Sequence, residues 1–436
     1  VVLAHGEGAA LIVDLLAVWS VGAAAVVVSH GVTPDERVIV RDKTGPRAWV
    51  GHAAPAGVAA LPPAHFAAEA AESSQPATRL DDVALIMMTS GTTSRPKGVV
   101  LTHRALQARL ALNIAHIGRD DLAVTLTVLP MHFGHGLIGN SLTPLAAGSQ
   151  LVVWSEPGST GLHALGKVAD EHGLTFMSSV PSLWRVALKL SPPPGRGTLR
   201  RVHVGSAPLA APLWNNIIAW SGTHRVVNMY GITETANWIG GHSAEDGLPV
   251  DGLVGRPWGG AFRVRLANGD FSATGRGEVV VNSPSLMTGY LDLPDLTAQS
   301  LAGDWFLTGD IGEIDEAGNL RLVGRSKHEI NRGGIKVPAE EIDALLERHP
   351  FVVEACAFAL PDPLSGETVA AAIVLEPGGE DDAGAIRAWC ETRIRREALP
   401  SRLFVLPELP RTDRGKLNRD IVREACLAAV SSGSRP

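Results

Sequence analysis

Leu85-Ile86-Met87-Met88-Thr89-Ser90-Gly91-Thr92-Thr93-Ser94-Arg95-Pro96-Lys97-Gly98-Val99-Val100-Leu101-Thr102-His103 sets an apolar strand against a hydroxyl-rich turn. Thr89, Ser90, Thr92, Thr93 and Ser94 supply hydroxyl donors, Gly91 and Gly98 permit unusual backbone angles, and Lys97 adds positive charge. That combination suits phosphate oxygens. It is not a Walker A loop, because Lys97 is followed by Gly98 rather than by the Ser or Thr that opens a helix. A polar hairpin turn is the competing reading.

Working outward, near-continuous apolar runs recur at Ala24 to Val28, Val83 to Met88, Ala123 to Leu129, Gln150 to Trp154, Leu199 to Val204 and Arg225 to Met229, with helical patterns between them. Strands of this kind are covered on both faces, which predicts layered α/β with parallel sheets. From about Val254 to Val323 short strands alternate with turns such as Ala267-Asn268-Gly269-Asp270, predicting an antiparallel subdomain over 254–323. After Arg325 the pattern predicts a small α+β domain: a helix near Pro338, strands at Val352 to Ala359 and Val369 to Leu375, and a helix through Ala383 to Arg396. The expected division is 1–325 and 326–436, with Pro55 to Arg79 as an Ala/Pro-rich surface connection containing a short helix.

Composition narrows the function classes. Formal charge is -7 with 45% hydrophobic and 19% charged residues over 436 positions, so no basic face for nucleic acid is expected. Cys356, Cys390 and Cys426 lack CxxC or His-paired spacing, which indicates neither a disulfide framework nor a zinc site and points to a reducing, cytoplasmic setting. Gly8 to Val28 is apolar, but Asp14 and its glycines break it, so a buried helix leading into a strand is expected rather than a membrane span. No charged region precedes it, which argues against a secretory signal, and the chain opens on Val1.

Three further clusters carry chemistry. Asn228-Met229-Tyr230-Gly231-Ile232-Thr233-Glu234-Thr235 ends an apolar strand in an aromatic, a glycine, a hydroxyl and a carboxylate, at the strand end where α/β sheets collect ligands. Tyr230 suits stacking on a planar base, Thr233 a phosphate, and Glu234 a nucleotide-borne Mg²⁺. A strand followed by a polar helix cap is the alternative. Thr308-Gly309-Asp310, with Gly324-Arg325 nearby in sequence, offers a carboxylate and a guanidinium to sugar hydroxyls, or simply a turn cap. Lys416, in Pro410 to Arg419, stands on a loop flexible enough to reach a distant site, although lone lysines are usually solvated.

In this order the segments resemble the adenylate-forming superfamily of acyl- and aryl-CoA synthetases, nonribosomal peptide adenylation domains and luciferases. The resemblance covers nearly the whole chain through Thr89 to Gly98, Gly205-Ser206-Ala207-Pro208, Tyr230 to Glu234, Gly277 to Tyr290, Thr308 to Asp310, Gly324 to Lys327, Asn331 to Val337 and Pro410 to Arg419. It implies that ATP and a carboxylic acid give an acyl-adenylate and pyrophosphate. The acyl group then passes to the pantetheine thiol of CoA or of an acyl or peptidyl carrier protein.

By resemblance, Thr89, Ser90, Gly91, Thr92, Thr93 and Lys97 hold the β- and γ-phosphates, Thr233 contacts the α-phosphate and Glu234 binds Mg²⁺. Asp310 and Arg325 hold the ribose, while Gly205, Ala207, Pro208, Asn228, Met229, Tyr230 and Gly231 frame adenine. Lys416 is the catalytic cation, Lys327 the hinge, and Gly333 and Gly334 line the thiol tunnel of an enzyme whose small domain rotates between half-reactions.

The acid pocket is assigned by position to Phe133, Gly134, His135, Ser178, Ala236, Asn237 and Trp238. Phe133 and Trp238 suit an aryl or short branched acid, and no acidic residue stands out to clamp an α-amine. Phe133 stands at the family's gating aromatic or histidine position before the pocket, and hydrogen bonding rather than metal ligation is expected of His132 and His135. The amino end begins late and the stretch from Thr44 to Asp81 is short by the family's pattern. Transfer to an amine, or a non-catalytic nucleotide-binding role, are the alternative functions, secondary metabolism the expected setting, and a homodimer a possible assembly.

Overall fold

The computed structural model describes residues 1–6, 8–51, 54–63, 78–89, 97–154, 161–332, 335–376, 383–411 and 417–431. Contacts divide the chain into two compact units, Val1–Phe262 with Val280–Leu307, and Arg263–Val279 with Thr308–Pro436. This division is not the 325/326 boundary read from the sequence. Gly324 has no room for a Cβ beside Pro338 and Glu340, and the Arg325 N–H reaches the Glu340 carboxylate at 3.4 Å, which ties the hairpin before Arg325 to the helix Ala339–Leu346.

The first unit holds a seven-stranded sheet in the order Gly289–Tyr290, Lys97–Thr102, Val83–Thr89, Ala25–Val27, Val2–Ala4, Ala48–Gly51, Ala59–Leu61. Val83–Thr89 runs parallel to Ala25–Val27 but antiparallel to Lys97–Thr102, because the chain between Thr89 and Lys97 is too short for a crossover. Ala59–Leu61, inside the expected surface connection, instead adds an edge strand parallel to Ala48–Gly51. The rest of that connection, 64–77, lies outside the described residues.

A second run of strands in the same unit follows the order Leu253–Pro257, Asn237–Ser243, Val226–Ile232, Arg201–Val204, Phe176–Ser179, Val124–Thr127, Gln150–Val153. The expected parallel pairing holds from Val226–Ile232 to Gln150–Val153. It reverses at Asn237–Ser243, again because only a four-residue turn separates the strands. One face packs on helices Pro181–Leu190 and Ala211–Ser221 through fully buried Trp184 and Trp214. Their indole N–H groups donate to Ser179 Oγ at 2.7 Å and the Val226 carbonyl at 2.9 Å. Truncating either to alanine should cost about 3–5 kcal/mol.

In the second unit, Val352–Asp362 and Gly366–Leu375 form a long antiparallel hairpin, joined by parallel Arg402–Val405 and covered by Ala339–Leu346, Ala383–Glu391 and Arg419–Ser431. Ala383–Glu391 stops short of the expected Arg396, where the Cys390 carbonyl is shared by the N–H groups of Arg393 and Ile394. The α/β class, with antiparallel strands and a smaller α+β part, is the one expected. No helix among the described residues is long and apolar enough to cross a membrane.

Candidate active site

Thr89 ends one strand and Lys97 begins the next as its register partner. Ser90, Gly91, Thr92 and Thr93 lie outside the described residues. Lys97 sends its Nζ over the Tyr290 ring, 5.0 Å from the centroid, because Tyr290 pairs with Val99 on the neighbouring strand. The Tyr290 hydroxyl in turn donates to Glu234 Oε1 at 2.7 Å. Burial and the Glu234 charge both push the Tyr290 phenol well above its ordinary range, so it remains a donor at neutral pH. Lys97, Glu234 and Tyr290 thus meet from three separate stretches of chain.

The turn carrying Glu234 is held from behind. Ala236 and Asn237 adopt left-handed φ of 56° and 118°, unusual for residues with a side chain. Thr235 Oγ1 lies 2.9 Å from both the Ile232 and Asn237 carbonyls. A Cβ on Gly231 would stand 2.5 Å from the Asn237 carbonyl oxygen, so only glycine lets the strands close here. Ser285 Oγ donates to the Thr235 carbonyl at 2.8 Å and accepts from Arg109 Nε and Nη2 at 3.0 and 2.7 Å. Arg109 also donates to Ser283 Oγ and the Trp258 carbonyl. It is fully buried, which lowers its pKa to about 10 and still leaves it charged at neutral pH.

The donor set fits magnesium carried by a nucleotide. Glu234 is a hard oxygen ligand with one oxygen steadied by Tyr290, and no group of three or more metal-binding side chains occurs among the described residues. A single carboxylate needs phosphate oxygens to complete a magnesium shell.

The residues expected around adenine divide by role. Gly205 is buried, and a Cβ there would lie 3.1 Å from Met229 Cβ, whereas Ala207 and Pro208 are exposed. Asn228 commits its amide to the Leu253 carbonyl at 2.9 Å, and Met229 is packed with Phe176, Trp238 and Trp258. Tyr230 is buried with its ring edge-on to Phe262 at 6.0 Å. In the second unit, Asp310 is buried and its Oδ1 lies 2.7 Å from Arg325 Nε.

Among the acid-pocket residues, His135 opens a π-helical segment, His135–Leu142, a rare geometry. Its Nδ1 is 2.8 Å from Ser206 Oγ, its Nε2 2.6 Å from Ser178 Oγ, and its ring edge-on to Trp238 at 5.5 Å. Burial drops the imidazole pKa to about 3, so it is neutral, and one serine accepts its proton while the other donates. Phe133 sits beside the His132 ring at 4.1 Å. Ala236, which caps the Glu234 turn, and Asn237 and Trp238, which open the strand after it, are buried.

Lys416, Gly333 and Gly334 lie outside the described residues, and of Lys327 only the backbone, in the turn Ser326–His328, is described. Its neighbour His328 bonds Glu340 at 2.6 Å, and Glu340 also pairs with Arg419 at 3.1 Å. The sequence reading missed Tyr290 and Arg109. A tyrosine closing the Gly277 to Tyr290 segment and an arginine inside an apolar helix were the signals available.

Residues 1–291 match the model of the AMP-binding enzyme family, and 341–416 that of the AMP-binding enzyme C-terminal domain. The chain belongs to the AMP-binding enzyme family. It is 34% identical over 367 residues to sulfoacetate–CoA ligase of Cupriavidus necator, covering 83% of this chain and 70% of the relative. Oxalate–CoA ligase of Arabidopsis thaliana is 32% identical over 352 residues, 80% of this chain and 68% of the relative. The structure of O-succinylbenzoate coenzyme A synthetase from Bacillus subtilis in complex with ATP and magnesium superposes with a TM-score of 0.84 at 25% identity, covering 97% of this chain and 88% of that one. This member of the AMP-binding family is an AMP-forming acid–thiol ligase.

Proposed function

We propose that this ligase activates an aryl or short branched carboxylic acid whose tail bears no charge. The reaction uses ATP and magnesium, with CoA as the acceptor thiol. The observation that carries the acid class is the chemistry around Trp238: an indole, a neutral His135 and the serine hydroxyls of 178 and 206, with Phe133 at the approach and no lysine or arginine side chain among them. A distal carboxylate or sulfonate buried there would lack a countercharge, which is costly.

The roles follow from charge. Lys97 and the Thr89 to Thr93 loop neutralise the β- and γ-phosphates, Thr233 bonds the α-phosphate, Asp310 and Arg325 hold the ribose hydroxyls, and Lys416 supplies positive charge where the pentavalent phosphorus develops its negative charge. Glu234 would hold magnesium, which when bound would withdraw charge from the phosphate oxygens. A carboxylate oxygen attacks the α-phosphorus and the bond to pyrophosphate breaks. The CoA sulfur then attacks the acyl carbon and AMP leaves. Arg109 keeps the Glu234 turn rigid through Ser285, so the metal ligand costs little reorganisation when phosphate binds.

Pyrophosphate release measured with benzoic and short branched acids against oxalic, malonic and sulfoacetic acids tests the acid class. At least tenfold higher kcat/KM for the uncharged-tail acids is expected. Preference for the dianions overturns it.

A further inference from the structure

Beside the acid pocket the structure buries polar side chains, several of them with no hydrogen-bond partner among the described residues. Thr127, Ser178 and His203 are successive register partners on three parallel strands and therefore share one face of the sheet. His203 is fully buried, ringed by Phe176 at 4.8 Å, Trp238 at 4.9 Å and Trp258 at 5.6 Å, and neither of its ring nitrogens has a hydrogen-bond partner among the described residues. Trp238 Nε1, Asn237 Nδ2, Asn140 Oδ1 and Thr127 Oγ1 are likewise buried and unpartnered. Folded proteins rarely strand such atoms, and His203 and Trp238, whose rings stand 4.9 Å apart, carry three of them beside the acid pocket.

The arrangement is held in place. A Cβ on Gly139 would lie 2.1 Å from Asn237 Nδ2 and 2.7 Å from the Trp238 ring, so the glycine is what admits both side chains. Asn237 reaches its position from a left-handed backbone, φ 118°. Burial holds His203 far below the usual imidazole range, so it presents one N–H and one lone pair. Trp238 and Asn237 add donors, and Asn140 adds an acceptor. Among the described residues the nearby cations are committed elsewhere: Arg109 spends its N–H groups on Ser283, Ser285 and the Trp258 carbonyl, and Arg201, whose charge helps depress the His203 pKa, pairs with Asp121 Oδ2 at 2.9 Å.

We infer that His203, with Trp238 and Asn237, forms a specificity subsite that hydrogen-bonds an uncharged oxygen substituent, a hydroxyl or carbonyl, on the tail of the acid. Aromatic walls and mixed donors and acceptors match a hydroxylated ring better than an alkyl chain, which would leave every one of these groups unpaired, or an anion, because Arg201 and Arg109 are already committed to other partners. This rests on the acid-pocket assignment above. Among acids of one skeleton, the subsite selects the oxygenated member.

The test measures kcat/KM for matched pairs, benzoic and phenylacetic acids against their ring-hydroxylated isomers, with the wild-type enzyme, His203→Leu, His203→Gln and Trp238→Phe. The wild type should favour one hydroxylated isomer at least tenfold, mainly through KM. His203→Leu should collapse that ratio at least tenfold, while His203→Gln, which keeps a donor and an acceptor, should restore part of it. If His203→Leu does not fold, the Gln variant and Trp238→Phe, which removes the indole N–H together with part of the ring wall, carry the comparison on the same ratio. Aryl activation without discrimination in the wild type, or an equal loss on both members of each pair, overturns the subsite and leaves the acid class standing. Activation of aliphatic acids alone, with a hydroxylated member preferred and that preference lost in His203→Leu, supports the subsite and overturns the aryl reading. Failure to activate any acid overturns both.

Discussion

Arg419→Met removes the cation of a buried network in the second unit and strands its carboxylates. Arg419 Nη2 lies 2.7 Å from Asp343 Oδ2 and 3.1 Å from Glu340 Oε1, and Nη1 donates to the Ala357 carbonyl at 2.8 Å. Breaking a buried pair from one side costs about 3–5 kcal/mol, and with these side chains 15–16% exposed the lower end applies, about 3 kcal/mol.

Glu340 gives an independent check on that figure. Burial opposes its ionisation, but the His328 bond and the Arg419 charge outweigh it and bring the pKa from 4.5 to about 2. That corresponds to roughly 3 kcal/mol shared between His328 and Arg419, to which the contact with Asp343 adds. Because the folded pKa is depressed, this stability is present above pH 4.5 and is lost as pH falls toward about 2. Asp343, pushed up by burial, moves further up without Arg419 and takes a proton sooner. The penalty of the variant is therefore largest at neutral pH and shrinks on acidification. Hydrogen exchange of the hairpin Val352–Asp362 and Gly366–Leu375 should accelerate roughly 100-fold at pH 7.5, with Val226–Ile232 in the first unit unchanged, and less at pH 5 after correction for intrinsic rates. Unaltered hairpin protection, or a penalty independent of pH, would refute the reasoning.

Three further outcomes are expected. Gly231→Ala drives a Cβ to 2.5 Å from the Asn237 carbonyl oxygen and should lower adenylate formation by about 100-fold or more, read as pyrophosphate release; near-normal rates would mean the turn can relax. Tyr290→Phe deletes a bond to a charged acceptor worth about 1.5–3 kcal/mol and should raise the Mg²⁺ concentration for half-maximal activity roughly tenfold, an unchanged magnesium curve being the contrary result. Lys416→Ala should cut adenylation on the order of 10²- to 10³-fold while calorimetry still detects ATP binding, and full activity would remove the lysine from the mechanism.

What the sequence carries plainly is what is local. The strand at Val83 to Met88 and the strand Val226–Ile232 that leads into Thr233-Glu234 are each read from a short stretch, because apolar runs act over short spans. The supporting contacts are not local. Tyr290 reaches Glu234 only because Gly289–Tyr290 joins the sheet beside Lys97–Thr102, and Arg109 reaches Thr235 only through a serine from a third stretch. The strand Asn237–Ser243, with two glycines, an asparagine, a histidine and a serine, lacks the apolar run that marks its neighbours, so its antiparallel pairing was hidden from the sequence. His203 reads as an ordinary histidine in a Val-rich strand until the register places it beside Ser178 and under Trp238.

The central claim is AMP-forming acid–thiol ligation, and a product assay tests it most directly: incubation with Mg-ATP and a panel of uncharged-tail acids, then with CoA, with nucleotides and thioesters followed by mass spectrometry. AMP, pyrophosphate and the acyl-CoA in equal amounts are predicted. ADP with phosphate, or bound ATP that yields no AMP with any acid, would contradict the account.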